Sequence, residues 1–336
     1  MENLNQGIEN IAVPKISGPK IIGKIDLGDN TKRFSKKIEN REALRTKLDL
    51  CLEKMAQNVN NDFPDFLRAD GRINMNNDDY YFSDKEGDLN TIQIMESSFA
   101  AGQAMTDWIK KREESNGMMI EKSITVLLHK MLQDDFIVAR TSLLDDYRHG
   151  VDNLIIDKKT GAAICGFDEV QSANNQESDR NTDLKKIKIL ENISKYQGAF
   201  IKYGATIKNN DFKRCSLRNV PTFFLTLSEG DVADITTEID NKDVSSNEKK
   251  VLLNMVLSIE SQMSELYGEH TSLEGDFREQ RGVLMERMNA LSQRYGADAW
   301  GKTPEGVTLK KELGVNKLRI NLHDFKLSLQ TIKQKL

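Results

Sequence analysis

Residues 151–172 contain the feature that most constrains the fold, two apolar runs joined by a short turn. VDNLIID (151–157) and AAICGFDEVQS (162–172) each indicate a β-strand, and DKKTG before residue 162 is typical of a tight hairpin turn that ends at Gly161. Both runs carry acids: Asp152 begins the first, and Asp168 and Glu169 lie inside the second. Because a buried carboxylate is costly unless it is paired or bound to a cation, the hairpin predicts a site with a chemical role.

The elements around this hairpin predict an α/β core over residues 117–230. Apolar residues spaced by three and four indicate a helix at about 118–133, with Glu121 at the border of its apolar face. Strands are predicted at 136–142 and 220–228, and a lysine-rich helix at about 182–204. LLDDYRHG (143–150) is predicted to be a polar connection. Asp145 and Asp146 could add a metal ligand and His149 could touch a phosphate or base, but solvated loop residues are the preferred interpretation. The order is helix, three strands, helix, strand.

The flanking regions are predicted to be mostly helical. Residues 1–38 lack a lasting apolar period and are interpreted as a flexible arm. Residues 39–116 contain two predicted helices, at about 39–58 and 90–114, separated by a loop with a short strand. Residues 246–336 predict a helical hairpin or a short coiled coil, which packs back on the same chain or forms a homo-oligomer.

Strand alternation ranks the two acids of the second run. Cys165, Phe167, Glu169 and Gln171 share one face, and Asp168 lies on the other. Glu169 is therefore the first choice for a site residue beside Asp152. Asp168 is the second choice, since a bulge in the strand would let it reach the same site.

These acids and this order of elements resemble the PD-(D/E)xK nuclease superfamily, which has a restriction-endonuclease-like α-β-β-β-α-β core and includes RecB-like members. The matching residues are Asp152 in HGVDNLIID, Glu169-Val170-Gln171 in GFDEVQS and Glu121 on the preceding helix. DDYRHGVDN and FDEV are also similar to a DDxxxGVDN…FDEV pattern of uncharacterised bacterial proteins. The resemblance covers about a third of the chain.

The resemblance implies a nuclease site that uses Mg²⁺ or Mn²⁺. Asp152 and Glu169, with Asp168 as the alternative, would hold the metal, and Glu121 would assist. Gln171 stands where the superfamily usually has a lysine; it can orient a water but brings no charge. The lysine of the motif can come from the following helix, where Lys185, Lys188 and Lys195 are candidates. Gln197 in YQGAF is a partial match to RecB-like nucleases and a candidate for binding nucleic acid.

Charge and composition bear on partners and compartment. The net charge is −4, but the stretch from Asn181 to Arg218 holds nine Lys and Arg against three acids, which favours contact with a phosphate backbone. Nucleic acid is the expected partner, with DNA favoured over RNA. No apolar run is long enough for a membrane span, the N-terminus lacks a secretion signal, and three scattered cysteines favour a reducing cytoplasm.

Two function hypotheses follow. The first is a Mg²⁺-dependent nuclease acting on DNA, with Asp152, Glu169, Gln171 and Glu121 as its catalytic residues. The second is a catalytically degenerate protein of the same fold that binds nucleic acid or a protein partner, a reading favoured by Gln171. Motifs of nucleotide-binding loops, zinc proteases and serine hydrolases are absent from the sequence.

Overall fold

The computed structural model describes residues 28–81, 83–171, 198–208, 211–227, 229–241 and 243–266, and the single positions 286, 290, 293 and 294. The chain divides into two compact units, residues 1–42 and 43–336. The described part is mixed α/β. Its elements are, in chain order, α1 (Gly28–Asp62), α2 (Lys85–Ala100), α3 (Met105–Glu113), α4 (Asn116–Leu132), β1 (Phe136–Arg140), α5 (Leu143–His149), β2 (Asn153–Asp157), β3 (Ala163–Gln171), β4 (Ala199–Lys208), β5 (Asp211–Val220), β6 (Thr222–Leu227), α6 (Glu229–Glu238) and α7 (Ser246–Leu266).

The predicted hairpin forms the middle of a four-stranded sheet whose order is β1-β2-β3-β6. β2 is antiparallel to both β1 and β3, whereas β6 is parallel to β3. The turn between β2 and β3 is stabilised by the Asp157 carboxylate, which accepts the backbone N–H groups of Lys159 and Thr160. Gly161 has φ +70, and a Cβ there would meet the backbone of Ile207 at 2.1 Å, so the turn requires glycine.

A second sheet corrects the prediction of a helix over 182–204. Residues 199–208 are strand β4, which pairs with β5 in a two-stranded antiparallel sheet that was not predicted. Alternate residues of β4 are buried, among them Ala199, Ile201, Tyr203 and Ala205, which is the period of a strand. The part of the predicted helix before residue 198 lies outside the described residues.

Helix α4 forms one side of the candidate functional site. Ser115 caps its N-terminus by accepting the Met118 N–H at 3.1 Å, and most of its side chains are buried. The helix packs on β1 and β3. The segment after β1 was predicted to be a loop but is helix α5: Ser142 caps it by accepting the Asp145 N–H, and Gly150, at φ 64, ends it.

The N-terminal helices differ from their predicted bounds. α1 begins at Gly28, well before residue 39, and continues to Asp62. The helix predicted at 90–114 is interrupted, because Ala101 and Gly102 both have positive φ and separate α2 from α3. The loop between α1 and α2 contains two isolated bridges, Leu67–Ile73 and Arg72–Arg140.

The outer edge of β6 is covered by a side chain. Gln262 of α7 accepts the Phe224 N–H at 3.0 Å and donates to the Phe224 carbonyl oxygen at 2.9 Å, so the amide replaces a neighbouring strand. Within the described ranges, no helix has the length and apolar character needed to cross a membrane. Apart from α7 and the four single positions, the predicted C-terminal helices lie outside the residues that are described.

Candidate functional site

Three carboxylates meet where α4, α5 and the start of β2 come together. Ligand atoms of Glu121, Asp146 and Asp152 all lie within 4.8 Å of one another. At that distance two ionised carboxylates repel by about 3 kcal/mol for an effective dielectric constant of 20. Such a group is stable only if protons or cations neutralise part of its charge.

Glu169 joins this group through Asp152. The Asp152 carboxylate accepts the backbone N–H of Glu169 at 2.9 Å, although 17 residues separate them in sequence. The Asp152 backbone N–H donates in turn to the Phe167 carbonyl oxygen at 2.7 Å. The predicted neighbourhood of Asp152 and Glu169 on adjacent strands is therefore confirmed, and we refer to Glu121, Asp146, Asp152 and Glu169 as the acidic cluster.

The pKa values respond to this crowding. Burial, followed by the adjacent charge of Asp152, raises the pKa of Glu169 well above its usual range. Burial and then Asp152 also raise the pKa of Asp146, against the lowering effect of Arg72 and Arg112. Because burial and the neighbouring charges raise these two pKa values, a divalent cation that binds the acidic cluster would compete with protons for it.

A short hydrogen-bonded relay from α4 orients Glu169. The Thr125 hydroxyl lies 2.7 Å from the Glu121 carbonyl oxygen and 2.7 Å from Oδ1 of Asn153. The Asn153 amide donates to Oε1 of Glu169 at 2.7 Å. Glu121 and Thr125 are one helical turn apart, so α4 supplies both a carboxylate of the cluster and the support of another.

Two buried arginines bind the other side of the cluster. Arg140 Nη2 donates to Oε2 of Glu121 at 2.8 Å, and Arg72 Nη2 contacts Oδ2 of Asp146 at 3.0 Å and Oε2 of Glu121 at 3.5 Å. Burial opposes the charged form of Arg72, but Asp146 and Glu121 outweigh it and raise the pKa of Arg72. These ion pairs use a single oxygen of each carboxylate, Oδ2 of Asp146 and Oε2 of Glu121.

Backbone pairing places the two arginines side by side. The Arg140 N–H donates to the Gly71 carbonyl oxygen at 2.9 Å, and the Ile73 N–H donates to the Arg140 carbonyl oxygen at 2.8 Å. The chain around Arg72 therefore lies along the end of β1. Gly71 permits the approach: at φ +74, a Cβ there would meet Met55 Cε at 2.8 Å.

The acidic cluster is more accessible on one side. Asp152 and Glu169 are buried, while the side chains of Asp146 and Glu121 retain 14% and 15% of their exposure. Arg112 of α3 lies on this accessible side, with Nη2 at 3.5 Å from Oδ2 of Asp146. A ligand would therefore reach the cluster past Asp146, Glu121 and Arg112.

The other predicted site residues fall in three groups. Asp168 is buried but is not in the carboxylate group, and β3 pairs with β6 without a shift from Gly166 to Gln171, so Asp168 and Glu169 lie on opposite faces. Gln171 is the last residue of β3. Lys185, Lys188, Lys195 and Gln197 lie outside the described residues.

Asp146 was predicted to be a solvated loop residue in preference to a metal ligand, and the arginines were not predicted to be site residues. The sequence does signal α5, since Ser142 is followed three residues later by Asp145 and the segment ends at Gly150. Asp145, the other acid of that helix, is buried and has a different role: its oxygens accept the backbone N–H groups of Lys202 and Tyr203 and the Ser142 hydroxyl. For Arg72, no local signal exists, because its partners are distant in sequence.

Comparison with known proteins gives no further guide to this site: no protein-family model, no curated protein and no solved structure matches the chain. The chemistry of the cluster must be argued from its own residues. Oxygen ligands from several carboxylates are what hard divalent cations such as Mg²⁺ and Mn²⁺ prefer. Three acids whose ligand atoms lie within 4.8 Å of one another, with Glu169 beside Asp152, fit such a cation.

Proposed function

We propose that this chain is a metal-dependent phosphodiesterase that acts on nucleic acid, with DNA as the first substrate to test. The observation that carries the proposal is the convergence of Glu121, Asp146 and Asp152 within 4.8 Å, beside Glu169. A divalent cation bound there would supply Lewis acidity for a phosphoryl oxygen and lower the pKa of a bound water.

The fold supports a restriction-endonuclease-like core as part of this proposal. α4, β1, β2, β3 and β6 follow the order helix, three strands, strand, and β6 is parallel to β3. Residues 172–197, between β3 and β4, lie outside the described residues. Asp152 immediately precedes β2 and Glu169 lies in β3, and the hydrogen bond between them supports the assignment of these two residues to the acids of the motif.

Each acid of the cluster has a distinct task in this proposal. Asp152 and Asp146 hold the metal, and Glu121 completes its ligands from α4. Glu169 is held by Asn153 and by its own backbone bond to Asp152, so its carboxylate keeps a fixed position for metal or water. Rigid placement of this kind is what a hydrolytic site requires, because the attacking water must be aligned with the phosphorus.

Arginines supply the positive charge that Gln171 does not bring. Arg72 and Arg140 are buried against the cluster, and a guanidinium stays charged at any pH at which the protein folds. Arg112 extends the positive charge to the accessible side. We assign to Arg112 and Arg72 the task of stabilising the charge that develops on the phosphate, a role that needs charge but no proton transfer.

The test is cleavage of labelled DNA and RNA, single- and double-stranded, with Mg²⁺ or Mn²⁺. We expect cutting by the wild-type chain and none by Asp152→Asn or Glu169→Gln. Calorimetric titration with Mn²⁺ measures metal binding independently, and we expect binding to be lost in Asp152→Asn. Wild-type protein that binds no Mn²⁺ and leaves every substrate intact would refute the proposal.

Asp168→Asn is the matched control, because Asp168 is a buried acid of the same strand on the opposite face. We expect it to keep both Mn²⁺ binding and cleavage. Loss of cleavage in Asp168→Asn, with its fold intact by circular dichroism, would move the site to the other face of the sheet.

A degenerate nuclease-fold protein that binds without cutting is the second candidate, and two observations favour it. Gln171 brings no charge, and the ion pairs of Arg72 already neutralise part of Glu121 and Asp146. Gln171→Lys separates the two candidates. If wild type binds DNA without cutting and Gln171→Lys cuts it, the cluster is a metal site that has lost its catalytic charge.

A further inference from the structure

A group of aromatic side chains lies next to the acidic cluster and is not used by the proposed chemistry. Phe99 of α2 stacks on Trp108 of α3, with ring centroids 6.1 Å apart and planes 29° apart. Phe99 also meets Tyr147 of α5 edge-on at 5.4 Å. We call Phe99, Trp108 and Tyr147 the aromatic platform.

Arg112 connects the aromatic platform to the acidic cluster. Its guanidinium carbon lies 4.9 Å from the centre of the Tyr147 ring and 5.8 Å from that of Trp108, while Nη2 contacts Asp146. Tyr147 is the residue after Asp146, and its hydroxyl donates to Glu96 at 2.9 Å. The rings are therefore held in place at the accessible side of the acidic cluster.

The aromatic platform is open to solvent. Phe99 is 48% exposed, Trp108 and Tyr147 are partly exposed, and no residue of α3 is fully buried. These rings keep apolar surface exposed to solvent in the folded protein. Three rings are too small an area for a stable protein interface, which buries about 800 Å² on each partner, but they match the size of one or two nucleobases.

The charges around the platform favour a nucleic acid as the occupant. The last turn of α3 carries Lys110, Lys111 and Arg112, and Arg148 follows Tyr147 on α5 with its side chain exposed. Stacked aromatic rings beside basic side chains are the arrangement by which proteins bind unpaired nucleotides, since the rings take the bases and the cations take the phosphates.

We propose that the aromatic platform stacks an unpaired nucleobase, so that the preferred substrate carries a single-stranded segment at the cutting point. In a duplex each base face is covered by its neighbours, so only an unpaired base can stack on Phe99. A strand that stacks there passes Arg112 and reaches Asp146 and Glu121. The part of this inference that concerns the cutting point rests on the proposed phosphodiesterase function. The binding of the base can be measured without cutting.

The experiment follows the fluorescence of Trp108 in the full chain with Trp300→Phe, which leaves Trp108 as the sole tryptophan. The protein is titrated in EDTA with an oligo(dT) single strand, and with the same strand annealed to oligo(dA). We expect the single strand to quench Trp108 emission and to bind more tightly than the duplex. We expect Phe99→Ala to weaken single-strand binding by about 5- to 100-fold, the usual effect of removing one stacking ring.

Two variants make the result specific to stacking. Phe99→Tyr keeps the aromatic face and should bind like wild type. Ile94→Ala removes another exposed apolar side chain of the same helix and should also leave binding unchanged. Equal affinity for single strand and duplex, no quenching, or a Phe99→Ala effect no larger than that of Ile94→Ala would each overturn the inference.

The failure of this inference can be distinguished from failure of the proposed function. Stacking is measured in EDTA, where no metal-dependent cutting occurs, whereas the proposed function fails if no substrate is cut with Mg²⁺ or Mn²⁺. Cutting without Trp108 quenching refutes the aromatic platform alone. Quenching without cutting or metal binding refutes the phosphodiesterase and keeps the platform as a binding site.

Discussion

Asp145 and Asp146 are neighbours on α5, yet they belong to two different kinds of buried acid. Asp145 accepts hydrogen bonds from two backbone N–H groups of β4 and from Ser142, all of which are neutral donors. Asp146 faces two arginines and two further carboxylates. The oxygens of Asp145 accept hydrogen bonds from the protein itself, and these bonds join α5 to β4. The carboxylates around Asp146 lie close to one another, so a bound cation would stabilise them.

The difference shows how a buried acid can be assigned to structure or to chemistry. A carboxylate whose oxygens all meet N–H or O–H donors is stable without any ligand. Carboxylates that meet other carboxylates raise one another's pKa values and remain costly until a cation arrives. Burial alone does not distinguish the two kinds, since Asp145 and Asp152 are both buried.

Asp152→Asn should produce the largest effect. It keeps an oxygen for the Glu169 N–H but removes the central charge of the acidic cluster, so we expect cleavage to fall by about a thousandfold, in line with the several kcal/mol that a bound metal supplies. In EDTA the same variant should unfold at a temperature no lower than wild type, because like-charge repulsion is relieved. A variant that cuts at even a tenth of the wild-type rate would remove Asp152 from the site.

Asp145→Asn should lower stability and leave cleavage unchanged, which is the reverse of the effect of Asp152→Asn. The amide group of Asn places N–H donors against the backbone N–H donors of β4, so we expect the free energy of unfolding to fall by about 1–3 kcal/mol. Urea denaturation measures the loss. Cleavage by the folded fraction should stay close to that of wild type. A selective loss of cleavage without lost stability would show that Asp145 acts in cleavage, as Asp146 is proposed to do.

Asp145 should make the stability of the protein depend on pH. Burial raises the pKa of Asp145 to about 6, above its value in the unfolded chain, so its favourable contribution is complete below about pH 4 and is lost as the pH rises through 6. The stability difference between wild type and Asp145→Asn should therefore shrink over that window, at about 1.4 kcal/mol for each pKa unit. Urea unfolding between pH 4 and 7 tests this, and a difference that grows with pH would contradict it.

The raised pKa values of Asp146 and Glu169 predict that metal binding becomes stronger as the pH rises. Because the pKa values of both acids are raised, Mn²⁺ competes with protons over a higher pH range, so the affinity for Mn²⁺ should rise as the pH rises above the usual carboxyl range. Calorimetry in buffers of different ionisation enthalpy counts the released protons. Proton release should be unchanged in Asp145→Asn, and an affinity independent of pH would mean that these acids do not bind the metal.

Thr125→Val should have the smallest effect. It removes the hydroxyl that supports Asn153 and, through it, Glu169, so we expect cleavage to fall by about tenfold, as for other residues that orient a metal ligand. The control is Ser123→Ala on the same helix, whose hydroxyl lies against Thr236. An equal loss of cleavage in both variants would indicate general destabilisation of α4 rather than a relay.

Local features of the sequence predicted part of the fold and of the site. The β2–β3 hairpin was predictable because its turn is short and its two apolar runs are adjacent, and this pairing alone brings Asp152 to Glu169. Glu121 was predictable from its position beside the apolar stripe of α4. The lysine-rich segment misled the prediction of a helix through residue 204, because the alternation of β4 begins only at Ala199.

The sequence by itself determined the strands of the four-stranded sheet, the turn between β2 and β3, and three carboxylates of the acidic cluster, since these depend on residues close together in the chain. The tertiary structure decided the rest of the acidic cluster. Arg72 reaches Asp146 across 74 positions because the chain around it pairs with the end of β1, and Arg112 reaches the same carboxylate across 34. The packing of β4 and of the arginines decides the roles of the two aspartates of α5. Asp145 hydrogen-bonds to β4, and Asp146 faces the acidic cluster. Such long-range packing leaves no periodic signal in the sequence.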